Sequence, residues 1–274
     1  IGWLQSRGVV FTEATINMPY APLAYRVIEG KGEAVVKALV DQAKSRSVEF
    51  FPGTPVVALL KEGGRVSGVV AEADGEEVEV AVKAVVVATG GFANNKEWIK
   101  KHTGFDLGAN LFPVGNTGKT GDGLRMAWEV GAAEEGVETI ELFRVAPVGA
   151  EFAMGCELEQ AAAQPDLWVT ARGERFCDET IGFWDTPVGN AQARLKHDGY
   201  TFSVFDDSII ERLQDWGLDR GVGVDYPPGY KLTSLRKEIQ AAIDNGSKEV
   251  FAAESIEDLA AQTGSAEAQA LHIG

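Results

Sequence analysis

Two glycine-bearing stretches hold the residues whose type and spacing could do chemistry. In VVVATGGFANN, residues 85–95, three valines run into a small residue, a threonine, two glycines and a pair of asparagines. In NTGKTGDG, residues 116–123, glycines alternate with a lysine and an aspartate. Bare main chain is what a bulky ligand lying on the backbone needs, and a sharp exit from a strand needs it too. Taken alone, Gly90 and Gly91 leave both readings open. The second stretch invites a phosphate reading through Gly118-Lys119-Thr120, because a P-loop wraps phosphate in consecutive backbone amides. That reading fails at Pro113, which stands where the required glycine would be and has no amide hydrogen. His102, His197 and His272 show no HxxxH or HExxH spacing, so no metal site is expected. No GxSxG elbow supports a serine hydrolase.

The elements that would position these residues can be read from periodicity. GKGEAVVKALVDQAKSRS is expected to be a helix with Val36, Leu39, Val40 and Ala43 on one stripe. VEFF, residues 48–51, reads as a short buried strand. VVALLKE, RVSGVVAEA and EEVEVAV read as three strands joined by hairpins at Gly63-Gly64 and Asp74-Gly75. In the third, Val78, Val80 and Val82 share a face while Glu77 and Glu79 point away, as in an antiparallel strand with one wet side. AVVVA, residues 84–88, is apolar throughout and is expected to be a strand covered on both faces. A helix is expected after Gly123, with Leu124, Ala127, Trp128 and Gly131 lining one side; Asp122 could serve as its N-cap. Further on, WVTARGERF reads as a hairpin turning at Arg172-Gly173 and TFSVFDD as a strand. SIIERLQDWGL, YKLTSLRKEIQAAIDNG and SIEDLAAQTG read as helices, the last with Ser255 as N-cap and Asp258 three residues on.

Composition narrows the classes. The 274 residues carry 41 acidic and 25 basic side chains, a formal charge of −16. That excess disfavours nucleic acid and anionic membrane as partners. No apolar run reaches the roughly 18 residues of a membrane span. Cys156 and Cys177 form no CxxC, so no disulfide framework is expected; a reducing, cytoplasmic setting fits without being required. The chain opens at Ile1 in mid-pattern, which suggests a processed or excised form.

The order of parts, TPVVAL, GGRVSGV, AVVVATGGFANNKEW, TGKTGDGLRMAWEVGA and RGERFCDE, resembles the middle portion of the fumarate reductase and succinate dehydrogenase flavoprotein family. The likeness runs over roughly residues 32–179 and more weakly to about 264. It implies an α/β fold: the central part of a Rossmann-type FAD-binding domain with an antiparallel meander over residues 1–150, and a smaller capping domain over 151–274. It implies FAD as cofactor, with Val56 by the adenine end, Ala88, Thr89, Gly90 and Gly91 beside the dinucleotide, and Asp122 near the ribityl chain and ring. It also implies a small-molecule substrate and an electron donor or acceptor that the sequence does not identify.

Two departures qualify the resemblance. The family's phosphate-cradling GxGxxG has no counterpart here, nor has the closing segment that contributes to the flavin site. The chain therefore reads as a fragment or a shortened relative, with weak or absent FAD binding on its own, since that turn is the main pyrophosphate site. The fumarate-reducing members also use a histidine, an acid and two arginines. Those positions fall at Ala146, Glu159, Ala162 and Phe183 or Trp184, so only the glutamate remains. Ala and Phe hold no carboxylate and give no proton, which disfavours fumarate and points to a more apolar substrate with a C–C bond next to a carbonyl. Glu159 could assist proton transfer or be a solvated surface glutamate. Arg144 could replace lost positive charge or be an ordinary surface arginine. Glu179 is expected to order its hairpin. A non-catalytic α/β scaffold that has lost its cofactor is the alternative.

Overall fold

The computed structural model describes residues 1–16, 24–113, 118–142, 155–184, 186–195, 200–221 and 226–264. Packing divides the chain into two compact units: Ile1–Gln42 together with Leu142–Gly274, and Ala43–Glu141. The division runs through the segment expected to form one cofactor domain, because the first 42 residues group with the C-terminal half.

The N-terminal part holds α1 (Gly2–Gln5), an antiparallel hairpin of β1 (Phe11–Ile16) and β2 (Ala24–Ile28), and α2 (Lys31–Lys44). No element was expected over this hairpin. Helix α2 forms as its periodicity requires, but its apolar stripe is not buried: Val36 is 61% exposed.

The second unit is built on the meander β3 (Val56–Glu62), β4 (Arg65–Ala73) and β5 (Glu76–Ala81), in that order and antiparallel throughout. Both connections are two-residue turns with positive φ at each position, 56° and 84° at Gly63 and Gly64 and 54° and 82° at Asp74 and Gly75. Such turns match the right-handed twist of the flanking strands, which fixes the register that the alternation predicts. The central strand buries Gly68 and Ala71, whereas β5 is exposed along its whole length, so its valine face is not a covered one. Two helices follow, α3 (Lys96–Thr103) and α4 (Asp122–Glu129).

Two expected strands are absent. Residues 48–51 and 84–88 form neither strand nor buried segment; Phe51 is 70% and Val86 is 88% exposed. A strand buried on both faces needs flanking strands and covering helices, and the pairings between β1 and β2, within the meander and between β6 and β7 are antiparallel and lie elsewhere. Their apolar sequence is therefore unanswered within the described residues.

The C-terminal part contains α5 (Glu157–Ala162), β6 (Trp168–Thr170), a 3₁₀ turn at Glu179–Phe183, α6 (Pro187–Ala193), β7 (Thr201–Ser203), α7 (Asp207–Asp215), α8 (Leu235–Asp244) and α9 (Ile256–Thr263). The turn at Arg172-Gly173 forms, with Gly173 N donating to Thr170 O at 2.9 Å, and β6 pairs antiparallel with β7. Ser255 caps α9 as expected, accepting from Asp258 N at 3.1 Å. Leu158, Ala161, Ile210, Leu213, Leu232 and Leu235 form the core shared by α5, α7 and α8. No helix among the described residues is long and apolar enough to cross a membrane.

Candidate functional site

Helix α4 gathers the residues expected to meet a cofactor. On its β3 side, Arg125 Nη2 donates to Val57 O at 3.1 Å and Lys61 Nζ donates to Val130 O at 2.5 Å. The lysine sits at the helix's negative end, where the peptide dipole favours a cation. These bonds place Val56, the exposed first residue of β3, next to the helix-bound carbonyl. At the other end, a Cβ on Gly123 would stand 2.2 Å from Thr89 Oγ1 and 2.5 Å from Val87 Cγ1. The strip that carries residues 88–91 thus lies directly on the first turn of α4, and only glycine allows it.

Two asparagines tie the strip to the glycine loop. Asn94 N donates to Lys119 O at 2.9 Å, and Asn94 Oδ1 accepts from Lys119 N at 3.2 Å. Asn95 Nδ2 donates to Thr120 O at 2.8 Å while its Oδ1 accepts from Trp98 N at 3.0 Å, capping α3. Behind the loop, Trp98 stacks on Trp128 with centroids 4.9 Å apart and meets Phe92 edge-on at 5.6 Å. This aromatic brace presses on Gly121: an added Cβ would come 2.6 Å from Trp98 Cζ3, and φ is 89° besides. The asparagines, Trp98 and Gly123 were not singled out from sequence. Asn95 before the helix and Gly104 after it, at φ 81°, were the readable start and stop signals for α3.

Asp122 is exposed at the first position of α4, and the N-cap is Gly121. The capping role open to Asp122 is therefore not the one it plays; its carboxylate accepts from Thr120 Oγ1 at 2.7 Å. Val56, Ala88, Thr89, Gly90, Gly91 and Asp122 all lie in the unit Ala43–Glu141.

Arg144 and Ala146 fall outside the described residues. Glu159 belongs to the other unit and is 4% exposed, with Oε2 accepting from Gly155 N at 2.5 Å. The surface reading of Glu159 is thereby corrected: as the third residue of α5 it turns back onto the backbone that precedes the helix, where free amides need acceptors. Phe183 and Ala162 are half-buried and Trp184 is exposed. Glu179 does order its hairpin, accepting from Trp168 N at 3.3 Å and from Arg175 Nε at 3.0 Å. Burial works to raise its carboxyl, but the bonds from Arg175 and the backbone outweigh that and hold it below the usual value. Burial pushes both Cys156 and Cys177 up, which argues against a thiolate nucleophile.

Compared with known families, residues 14–256 match the model described as FAD binding domain. The chain belongs to the FAD binding domain family. FAD is the cofactor of that family. A vinyl phenol reductase of Lactiplantibacillus plantarum is 34% identical over 95% of this chain and 54% of its own length. An NADH:acrylate oxidoreductase of Vibrio harveyi is 27% identical over 92% of this chain and 27% of its own. This member of the FAD binding domain family thus spans about half, or less, of the curated relatives it matches. Among solved structures, the 3-ketosteroid Δ1-dehydrogenase of Sterolibacterium denitrificans matches with a TM-score of 0.58 at 23% identity, over 88% of this chain and 42% of that one. A flavocytochrome c3 fumarate reductase in its open conformation matches at 0.55 and 21%, over 96% and 42%. These two likenesses concern the mixed α/β fold.

The residues present fit FAD at the strip. A Cβ at Gly91 would meet nothing within 4 Å, so packing inside the chain does not demand glycine there. Gly90 has φ 77° and needs glycine for the turn itself. One glycine shapes the exit and the other leaves open main chain, as a dinucleotide lying along a backbone requires.

Proposed function

We propose that this chain is the central part of an FAD-dependent oxidoreductase that exchanges a hydride with an uncharged, apolar small molecule at a conjugated C–C bond. The observation that carries the reading is the exposed main chain at 88–91, fixed between β3 and the glycine loop by α4. When bound, FAD supplies the two-electron centre, exchanging hydride with carbon at N5. The strip and Asp122 would hold and orient it, with Val56 toward the adenine end. Residues up to about 150 would serve the cofactor and the rest would form the cap. The relatives named for vinyl phenol and acrylate reduction support a conjugated alkene as substrate.

The cap supports an apolar substrate by what its wall lacks. Ala162 and either Phe183 or Trp184 stand where the resemblance puts the cations of a fumarate-reducing wall, and none can pair a carboxylate. Glu159 is tied through Oε2 to Gly155 N, which fixes the direction its carboxylate faces. It holds the start of α5 and is a positioning residue in this reading.

The test is turnover with reduced viologen dye by the longer flavoprotein that contains this chain. A hydroxystyrene or an enone should be reduced at least about 100-fold faster, in kcat/KM, than fumarate, the loss of about two charge-assisted bonds. Rapid fumarate reduction would overturn the substrate class. The 274-residue polypeptide alone should bind FAD weakly, because no GxGxxG turn contributes its amides; stoichiometric flavin absorbance after purification would refute that.

A further inference from the structure

We propose that Lys119 is a cofactor-binding residue whose ammonium meets an anionic part of FAD; this rests on the strip at 88–91 being the cofactor's bed. Three observations carry it. The lysine's main chain is held on both sides by Asn94, through N to O at 2.9 Å and Oδ1 to N at 3.2 Å, so the direction in which its side chain leaves the loop is set. Its Cγ, Cδ and Cε all lie 3.7 Å from the place a Cβ would occupy on Gly90, so the stem runs across the bare glycine. Among the described residues its ammonium pairs with no carboxylate, although the chain carries 41 acidic side chains and the nearby Asp122 carboxylate is taken by Thr120 Oγ1.

A half-buried lysine without an anion is an uncommon use of a charge in so acidic a chain. Side-chain freedom is lost when the stem lies on Gly90, and no ion pair among the described residues offsets it. An anion on the exposed strip would. The dinucleotide offers two: the pyrophosphate, and the isoalloxazine ring, which gains negative charge on reduction. The family's glycine-rich phosphate turn is absent from this chain, so a cation beside Gly90 would add to, not duplicate, what these residues give the cofactor. Lysine suits the task as a compact charge with three donors on a long stem.

The experiment compares wild type, Lys119→Met and Lys119→Arg in the FAD-loaded holoprotein. Methionine keeps the stem on Gly90 and removes the charge. If the pyrophosphate is the partner, Lys119→Met raises the Kd for FAD about tenfold, flattens its dependence on salt, and leaves riboflavin affinity unchanged. If the ring is the partner, oxidised FAD binds almost as before and the midpoint potential falls by about 30 mV, the two-electron equivalent of a tenfold preference between redox forms. In both cases Lys119→Arg stays within about threefold of wild type, which separates charge from fold. A Lys119→Met protein that matches wild type in Kd, salt dependence and potential would overturn the assignment. A wild-type holoprotein that takes up no FAD would instead overturn the proposed function on which it rests.

Discussion

Helix α5 buries Glu157, Glu159 and Gln160, while the segment 84–91 leaves Val86 88% exposed and Gly91 bare. Most polar groups of the first region have an answer in the chain: Glu157 Oε2 accepts from Ser234 N at 2.6 Å, and Leu158 N donates to Glu238 Oε2 at 2.8 Å. At the far end Gln164 exchanges two bonds with the Arg220 backbone, at 3.1 and 3.0 Å, and Arg220 Nη1 reaches Ala163 O at 3.4 Å. A buried polar helix is stable only when its groups are satisfied in this way. The apolar strip meets α4 where Val87 and Thr89 face Gly123, while Val86 stays exposed. The first region is largely satisfied from within the chain, whereas the second leaves apolar side chains and main chain exposed.

The largest expected effect exploits that contrast through two glycines. Gly217 has φ 90°, and a Cβ there would come 2.4 Å from both C and O of Gly229 and 2.7 Å from Tyr230 O, all of them backbone. Gly217→Ala should therefore cost about 3 kcal/mol or more in urea unfolding of the 274-residue chain. Gly91→Ala meets nothing within 4 Å and should cost under about 0.5 kcal/mol, yet weaken FAD in the holoprotein. Equal losses of stability at the two sites would break the comparison.

Glu179 ranks next. It is buried against the backbone of Trp168 while its partner Arg175 is largely exposed. Glu179→Ala leaves the buried Trp168 amide without its acceptor and should cost about 1–3 kcal/mol. Because the folded carboxyl is held below the value of 4.5 for a free glutamate, its charge stabilises the fold above about that pH. The benefit is lost as pH falls through the lowered folded value. The stability gap between wild type and Glu179→Gln should thus be full at pH 7 and shrink below about pH 4.5; a gap independent of pH would show that the charge contributes nothing.

What could be read in the sequence follows the same divide. The meander was legible to within one residue because hairpin turns and alternation are local signals, and β3, β4 and β5 contact their sequence neighbours. Segments 48–51 and 84–88 carry equally strong apolar runs, but a strand covered on both faces depends on distant partners that periodicity cannot supply. Likewise Gly90 and Asp122 stood out by type, whereas Asn94 acts through pairing with a residue 25 positions away, which no spacing rule announces. The burial of Glu159 was missed because α5 inverts the polar-outside pattern.

Asn95→Ala sharpens the strip side. It removes the acceptor for Trp98 N and the donor to Thr120 O together. Loss of an N-cap costs about 1 kcal/mol, and the freed loop would loosen the Trp98–Trp128 stack, so tryptophan fluorescence should shift with stability. FAD affinity should fall with it, whereas Asn95→Asp, which keeps the acceptor but not the donor, should restore the cap and not the affinity. Identical behaviour of the two variants toward FAD would mean that the Thr120 tie does not matter.

The smallest effect is expected at Val86, and it bears most directly on whether the strip is open by design. An exposed side chain with no neighbours to lose should tolerate Val86→Asp within about 0.5 kcal/mol in the 274-residue chain. In the longer flavoprotein proposed above, the same valine would be covered, and an unpaired carboxylate there would cost several kilocalories or force the carboxyl to stay protonated. The two unfolding measurements thus differ in kind. A Val86→Asp penalty that is equally small in both proteins would mean that nothing ever covers residues 84–88, and their apolar run would then have no role in building the cofactor's bed.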